Sequence, residues 1–323
     1  MQQLIDIAAS RGDGLIFAAH LAELGLNGRD VRRALAEGSI VRVMRGIYAK
    51  PPNDRPFWPR ELHALRTRGA AALEPRDAVV SHLSAAALHG LPLIGPWPDR
   101  VHLTVIGAAG GSSSAGIARH TARVASNETA IHGVRVTTLA RTLVDVAATT
   151  SMLVGVTMMD AAIHRGDITR ADLYAELTRA RLQAGRRRGR ACVDFSDGRS
   201  ASPGESLTRV RAWELGFELP RLQVPVRTRL GDFEIDFGWE SCALFGEFDG
   251  KVKYTRDAYL KGRSIEEVVM AEKAREDAIR AETGRGFVRI VWQEALRPVT
   301  LDALLRSAGV PRARRPVTSR PPG

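Results

Sequence analysis

Apolar and polar positions in the first fifty residues follow a helical period at first and then a strand-like alternation. The predicted elements are helices near residues 4–8, 16–24 and 29–37 and strands at residues 40–43 and 46–49. Gly25 and Gly38 each follow a predicted helix, where glycine commonly ends one. Three helices followed by a short hairpin are typical of a winged helix-turn-helix domain, whose third helix enters the DNA major groove. We therefore predict such a domain over residues 1–50.

The next region mixes helical and extended patterns and predicts an α/β middle domain over residues 60–177. The predicted helices are 61–73, 78–91, 138–147, 152–164 and 170–177, and the predicted strands are 101–105 and 134–137. A glycine- and serine-rich segment at residues 107–116 is expected to form a flexible loop. His82 and His89 lack a neighbouring nucleophile or a metal-ligand spacing, so we interpret them as structural residues.

The last third of the chain predicts a second α/β domain over residues 201–308. Its predicted strands are 222–226, 233–237, 243–248 and 287–292, and its predicted helices begin near residues 202, 264 and 301. An arginine-rich stretch at residues 178–200 is expected to be a linker, and residues 309–323 a disordered basic tail. The predicted fold class is therefore mixed α/β and multidomain.

Charge changes this picture by indicating a polyanionic partner. The 323 residues carry a formal net charge of +11, which favours nucleic acid. Three arginines of the predicted third helix share one helical face, and two more lie on the predicted hairpin: Arg29, Arg32, Arg33, Arg42 and Arg45. We expect them to contact DNA phosphates and base edges. The alternative interpretation is a solvated basic face on a small helical domain.

Cysteine content and the apolar runs indicate a cytoplasmic protein without a membrane segment. The two cysteines, Cys192 and Cys242, form neither a disulfide framework nor a zinc knuckle. The N-terminus lacks the basic start and long apolar run of a signal peptide. The longest apolar stretch, residues 152–163, is interrupted by Asp160 and is too short to span a bilayer.

Carboxylates within apolar strands are the strongest indication of chemistry. Asp236 closes the run 233–237, and Glu247 and Asp249 point to one face of the next strand. Buried carboxylates usually bind a metal ion or a cation. Together with Glu205, at the start of a helix, they could bind Mg²⁺ or Mn²⁺ and support phosphodiester cleavage. The alternatives are ion pairing of Asp236 and Glu247 with Lys251 or Arg275, a favourable helix-dipole contact for Glu205, and a turn at Asp249.

These residues resemble the PD-(D/E)XK restriction-endonuclease-like fold, in particular the very-short-patch-repair endonucleases. The matching pieces, in order, are Gly204-Glu205-Ser206, Ile235-Asp236-Phe237, residues 247–250, residues 272–277 and Val291-Trp292. The resemblance implies that Asp236 is the central metal ligand, Glu247 the second, and Glu205 an outer ligand through water. The family has a lysine where this chain has Asp249. Lys251, Lys253 or Lys273 could supply that cation, and Lys273 is the preferred candidate.

A second resemblance covers the N-terminal half. Residues 34–38, 43–48, 81–86 and 138–145 resemble the AbiEi-type antitoxins of type IV toxin–antitoxin systems. This resemblance implies DNA binding, repression of an operon and a cognate toxin as partner. Our first hypothesis is a Mg²⁺-dependent DNA endonuclease with Asp236, Glu247 and Lys273 as catalytic residues. The alternative is an antitoxin-like transcriptional repressor whose nuclease-fold domain is catalytically degenerate.

Overall fold

A computed structural model of the chain describes residues 1–52, 55–74, 78–106, 116–122, 127–180, 182, 184–250 and 264–313. These residues form thirteen α-helices and twelve β-strands, and the strands belong to three sheets. The mixed α/β class predicted from the sequence is therefore confirmed. The chain divides into two units: residues 1–149 with 171–186, and residues 150–170 with 187–323.

The first fifty residues form helices and a small sheet. The elements are α1 (Gln2–Arg11), β1 (Leu15–Phe17), α2 (Ala18–Glu23), α3 (Gly28–Ala36), β2 (Val41–Met44) and β3 (Ile47–Ala49), and the sheet order is β1-β3-β2. The predicted second helix differs from the structure, because its first residues form β1. Leu15 pairs with Ala49 and Phe17 with Ile47, which extends the hairpin to three strands.

Helix α3 begins at a complete capping box. The Asn27 side chain accepts hydrogen bonds from the backbone N–H groups of Arg29 and Asp30, at 2.8 and 3.4 Å. The Asp30 carboxylate in turn accepts from the backbone N–H of Asn27, at 2.9 Å. These bonds satisfy N–H groups that a helix N-terminus leaves without intrahelical partners, so the sequence fixes the start of α3 locally.

The middle of the chain contains a five-stranded sheet. Its elements are α4 (Pro59–Leu73), β4 (Val79–Val80), α5 (His82–Leu88), β5 (Val101–Ile106), β6 (Ile117–Ala122), β7 (Glu128–Ile131), β8 (Val134–Thr137), α6 (Leu139–Thr149), α7 (Met152–His164) and α8 (Arg170–Arg179), and the sheet order is β6-β5-β4-β8-β7. The predicted helix 78–91 starts instead with β4, because Val79 and Val80 pair with β5. Of the predicted loop 107–116, all but Gly116 lies outside the described residues.

The predicted boundaries at residues 177 and 200 also differ from the structure. Helix α7 belongs to the second unit, whereas residues 171–186 return to the first. The predicted linker 178–200 contains helix α9 (Arg186–Phe195), in which Cys192 and Val193 are completely buried. Buried apolar positions every few residues are typical of a packed helix, and the arginines that suggested a linker occupy the other positions.

The second unit is built on a four-stranded sheet. Its further elements are α10 (Pro203–Glu214), β9 (Arg221–Thr228), β10 (Gly231–Trp239), β11 (Leu244–Asp249), α11 (Ile265–Thr283), β12 (Gly286–Val291), α12 (Trp292–Ala295) and α13 (Pro298–Ser307). The sheet order is β12-β11-β10-β9, with β11 and β12 parallel and the other pairs antiparallel. Ile279 of α11 packs on Ile235 and Phe245 of the sheet.

Helix α10 approaches β11 closely at its first turn. A Cβ atom at Gly204 would lie 2.0 Å from the ring of Phe248, so only glycine fits there. After α13, the start of the predicted disordered tail is held in place: the backbone N–H of Ala313 donates to the carbonyl of Gly216 at 2.9 Å, and the guanidinium of Arg312 stacks on Phe217. Residues 314–323 lie outside the described part of the chain.

Among the described helices, none combines the length and apolar character needed to cross a bilayer.

Candidate metal centre and nucleic-acid interface

A cavity of about 500 Å³ lies on the four-stranded sheet of the second unit, beside α11. Its lining residues are Leu230, Phe233, Glu234, Asp236, Glu247, Phe248, Asp249, Val268, Ala271, Glu272, Arg275 and Arg289. Three of the four predicted metal ligands, Asp236, Glu247 and Asp249, are therefore brought together. Five carboxylates face two guanidinium groups in this lining, so the cavity carries an excess of negative charge.

Asp236 occupies the point where β10 and β11 stop pairing. The antiparallel ladder runs from Trp239 and Leu244 to Phe237 and Gly246 and ends there. One residue further along β10, the Asp236 carboxylate accepts a hydrogen bond from the backbone N–H of Phe248, at 2.8 Å. The side chain thus occupies the position of the next ladder bond, which orients its carboxylate at the cavity.

Glu247 lies one residue beyond the last position of β11 that pairs with β10, and it pairs with Arg289 of β12 on the other side. Its carboxylate forms an ion pair with Arg275 of α11, with 2.6 Å between Oε1 and Nη2. The Arg275 guanidinium also donates to the carbonyl of Glu234 at 3.2 Å and lies over the ring of Phe233. Arg275 is therefore held in the cavity wall by three contacts, and a metal ion at Glu247 would compete with it.

A second arginine of the cavity lining, Arg289 of β12, forms ion pairs with three carboxylates. It lies 3.0 Å from Glu276, 3.3 Å from Glu272 and 3.9 Å from Asp249. Burial by itself would lower the pKa of Arg289, but the hydrogen bonds with Glu276 and Glu272 outweigh it and raise that pKa. Asp249, whose side chain is 20% exposed, has the longest of these three contacts with Arg289. Its carboxylate is therefore more available to bind a metal ion than those of Glu272 and Glu276.

Glu205 lies at the N-terminus of α10 rather than in the cavity lining. One carboxylate oxygen accepts from the Ser202 hydroxyl at 2.7 Å, and the other accepts from the Ala201 backbone and the Gln223 side chain, both at 2.9 Å. Gln223 is the residue of β9 left out of the register opposite Asp236. Glu205 thus lies in the first turn of α10, whose N-cap is Ser202, and its hydrogen bond with Gln223 supports the strand beside Asp236. Its part as an outer metal ligand stays a prediction.

Lys273 is exposed on α11 and does not line the cavity. The face of α11 that does so carries Val268, Ala271, Glu272 and Arg275, a spacing that repeats with the helical turn. Lys273 lies off this face, and the cation that reaches Glu247 is Arg275. Lys251 and Lys253 lie outside the described residues. Ion pairing with Arg275 was the alternative weighed for Glu247, and the structure contains that pair.

The five predicted DNA-binding arginines lie on α3, on β2 and at the turn that follows β2. All five are exposed: Arg29, Arg32, Arg33, Arg42 and Arg45. Within the described part of the chain, none of them forms an ion pair or a side-chain hydrogen bond. Guanidinium groups without a protein partner remain available for phosphate oxygens, which they bind through two parallel hydrogen bonds.

Comparisons with known proteins identify relatives of undefined function. No protein-family model matches the chain. It is 28% identical over 276 residues to the uncharacterized protein MT2308 of Mycobacterium tuberculosis strain CDC 1551 / Oshkosh, over 78% of this chain and 92% of that protein. The same figures hold for the uncharacterized protein Rv2248 of Mycobacterium tuberculosis strain H37Rv.

Among solved structures, the RV2827C protein from Mycobacterium tuberculosis covers 62% of this chain and 78% of its own. The two are 14% identical with a TM-score of 0.37, a likeness too low to support an inference.

Proposed function

We propose that this chain is a cytoplasmic DNA-binding protein that hydrolyses phosphodiester bonds with the help of Mg²⁺ or Mn²⁺. The observation that carries the proposal is the meeting of Asp236, Glu247 and Asp249 in one cavity with an excess of carboxylates. Oxygen ligands of this kind suit a hard divalent cation. The donor set therefore fits such an ion, which would activate water and offset charge on the phosphate.

Each residue of the cavity has a separate part in this proposal. Asp236, already oriented by the backbone of Phe248, and Glu247 would hold the ion, and Asp249 would complete the oxygen set. Arg275 is 2.6 Å from Glu247 and can turn from that carboxylate to an oxygen of the scissile phosphate. There its fixed positive charge would stabilise the charge that develops in the transition state. This is the part that the resemblance to nucleases gave to a lysine.

DNA would be bound by the exposed arginines of α3 and of the hairpin. Their guanidinium groups make no ion pair among the described residues, so phosphate binding would leave the protein's own ion pairs intact. Binding of this kind weakens steeply as salt increases, because each neutralised phosphate releases counterions.

Cleavage of DNA tests the proposal directly. Supercoiled, linear, mismatched and single-stranded DNA are incubated with the purified chain and Mg²⁺ or Mn²⁺, and products are resolved by gel electrophoresis. We expect cleavage by the unchanged protein and none by Asp236→Asn or Glu247→Gln, because amides are much poorer ligands than carboxylates for a hard cation.

Asp232→Asn is the matched control for this experiment. Asp232 lies on β10, the strand of Asp236, but is not part of the cavity lining. It is exposed and forms an ion pair with Arg227 at 3.2 Å. Its amide should leave cleavage unchanged. Cleavage that survives both cavity substitutions would come from a contaminant or from another site and would remove the proposal.

A second function, transcriptional repression by an antitoxin-like protein with a cognate toxin, is favoured by one contact. Glu247 is already neutralised by Arg275, which is what a degenerate metal site would look like. Protein that shifts DNA containing its own promoter, yet cuts none of the four DNA forms, would favour this function. Co-purification of the toxin would then follow as the next measurement.

A further inference from the structure

Three histidines of the first unit lie together at the N-terminus of α5 and on strands β5 and β6. One ligand nitrogen from each of His82, His102 and His120 lies within 4.8 Å of the other two. Nδ1 of His102 and Nε2 of His120 lie 2.9 Å apart. The rings are nearly parallel, with interplanar angles from 14° to 32°, and the rings of His82 and His120 are stacked with their centroids 3.8 Å apart.

Pairing between strands brings two of these rings together. Strands β5 and β6 are parallel, and His120 of β6 pairs with Thr104 of β5. Thr104 lies two residues after His102 on β5. Side chains two residues apart point to the same face of a sheet, which places His102 and His120 on one side. Neither residue signals its partner in the sequence, because parallel pairing depends on a connection whose register cannot be read locally.

The third ring is positioned by Ser81, the residue before α5. The Ser81 backbone N–H donates to the carbonyl of His102 at 3.0 Å, and its hydroxyl accepts from Thr104 at 2.8 Å. The same hydroxyl lies 2.9 Å from Nδ1 of His82. If this nitrogen donates its proton to the hydroxyl, Nε2 of His82 is left with a lone pair that can bind a metal ion. A partner that fixes the tautomer of a ring in this way is a common feature of metal-binding histidines.

The backbone of His82 is held in an unfavourable conformation. Its φ angle is +52°, in the left-handed region that residues with a side chain rarely adopt. Such a conformation is unfavourable and persists where the surroundings impose it, often at functional sites. Here it points an imidazole that is only 8% exposed towards two other imidazoles.

We propose that His82, His102 and His120 form a binding site for a divalent transition-metal ion, with zinc the best fit. Tetrahedral zinc with Zn–N bonds of about 2.05 Å requires ligand nitrogens about 3.3 Å apart. The 2.9 Å between His102 and His120 and the upper limit of 4.8 Å bracket this value. Rotation of the rings out of their stacked arrangement would bring three nitrogens to one ion, which would replace the proton now shared by His102 and His120.

The chemistry of the site selects the class of metal. Imidazole nitrogen suits zinc, copper and nickel and is a poor ligand for magnesium, so this site is distinct from the acidic cavity of the second unit. Three histidines and no fourth ligand among the described residues leave one coordination position for water or a substrate.

Metal binding by the full-length chain tests this site. The chain is freed of metal with a chelator, titrated with Zn²⁺ in competition with a chromophoric chelator, and separately titrated with Co²⁺ to record its visible spectrum. We expect one zinc per chain and the intense Co²⁺ bands of a four-coordinate site. His102→Gln and His120→Gln should each weaken zinc binding by at least about 10-fold, and Ser81→Ala should weaken it about 10-fold.

His132→Gln is the matched control, because His132 is an exposed histidine of the same unit outside the cluster. It should bind zinc as the unchanged chain does. Equal binding by all variants, or no binding by the unchanged chain, would overturn the assignment. Should a cluster variant fail to fold, as judged by circular dichroism, X-ray absorption of the unchanged zinc-bound chain decides: three imidazole ligands support the site, and one or none refutes it.

Discussion

Contacts, rather than residue types, determine what the charged side chains of this chain do. Asp160, Arg275 and Glu205 are ordinary charged residues in the sequence, yet each has a specific set of partners. Asp160 is fully buried and accepts from Asp197, Ser206 and Arg209 at 2.7–2.9 Å. Arg275 reaches Glu247 in the acidic cavity, and Glu205 accepts hydrogen bonds from Ala201, Ser202 and Gln223.

Removal of Asp160 should strongly destabilise the second unit. Burial raises the pKa of Asp160 to about 6, against the opposing effects of Arg209 and the hydrogen bonds that the carboxylate accepts. Asp160→Ala would leave the Arg209 guanidinium buried without its carboxylate, and breaking such a buried pair costs about 3–5 kcal/mol. Urea denaturation followed by circular dichroism measures this loss. The exposed Asp167, which pairs with Arg165 at 2.8 Å, is the control, and Asp167→Ala should cost less than about 1 kcal/mol.

Arg275 and Lys273 make opposite predictions about catalysis. Arg275→Gln should lower the single-turnover rate of DNA cleavage by about 100-fold or more, because it removes a charge placed beside the reacting phosphate. Lys273→Gln should leave that rate unchanged, since Lys273 is exposed and outside the cavity. A loss of rate with Lys273→Gln alone would return the catalytic part to the lysine.

Binding of Mn²⁺ gives a second readout at the same position. Arg275→Gln should tighten Mn²⁺ binding, measured by calorimetry, because Glu247 loses the cation that now neutralises it. Unchanged or weaker Mn²⁺ binding would show that Glu247 is not a ligand.

At the scale of elements, helical period and strand pairing determine which side chains face the core, the cavity or solvent. Helix α3 turns Ala34 into the core while its arginines remain in solvent. Helix α11 instead places charged residues, Arg275 and Glu272, on the face that lines the cavity. Residue spacing therefore decides which side chains share a face of each helix once the helix exists.

The arginines of α3 should account for much of the DNA affinity. Replacement of Arg29, Arg32 and Arg33 by alanine should reduce the slope of log affinity against log salt by about 0.9 for each phosphate that the variant no longer neutralises. Fluorescence anisotropy of labelled duplex DNA over a range of salt concentrations measures this slope.

An equal reduction of charge elsewhere is the control for that triple substitution. Arg165, Arg190 and Arg199 are exposed and already paired with carboxylates, so their replacement by alanine should leave the slope nearly unchanged. Identical slopes for the two triple variants would mean that net charge alone, and not α3, binds DNA.

At the scale of the whole molecule, the chain is two units whose borders cross in sequence. Helix α7 belongs to the second unit and α8 almost entirely to the first, although they are consecutive along the chain. Each unit has its own core: Val80, Leu103 and Val136 in the first, and Ile235, Phe245 and Ile279 in the second.

The stability of the first unit should fall between about pH 6.5 and pH 4. Burial, with smaller contributions from His102 and Arg66, lowers the pKa of His63 from 6.5 to about 4. The unfolded chain then binds a proton that the folded chain excludes, so stability is fully present above pH 6.5 and is lost as pH falls towards 4. The loss attributable to His63 approaches about 3 kcal/mol.

Thermal unfolding at pH 7.5 and pH 5, with His63→Asn as comparison, measures this effect. The variant cannot take up the proton and should lose less stability over that interval. The His63→Asn variant is needed because a second buried group titrates in the same pH range. Burial raises the pKa of Asp145 to about 6, so the contribution of Asp145 to stability decreases as pH rises, opposite to that of His63. Equal losses in both proteins would mean that His63 is not the responsible group.

The sequence by itself determined the features that depend on near neighbours. The capping box of Asn27 and Asp30, the period of α3 and α11, and the alternation that places Glu247 and Asp249 on one face are all local. Mixed α/β architecture follows from the same patterns, and the structure confirms it.

Tertiary structure alone decided the features that depend on partners distant in sequence. Leu15–Phe17 is a strand because β3 pairs with it, and α9 is a packed helix rather than a linker because Cys192 and Val193 find a core. Whether Arg275 or Lys273 meets Glu247 depends on how α11 lies on the sheet. The three histidines converge because β5 and β6 pair in parallel, and long-range pairing of this kind leaves no local trace in a single sequence.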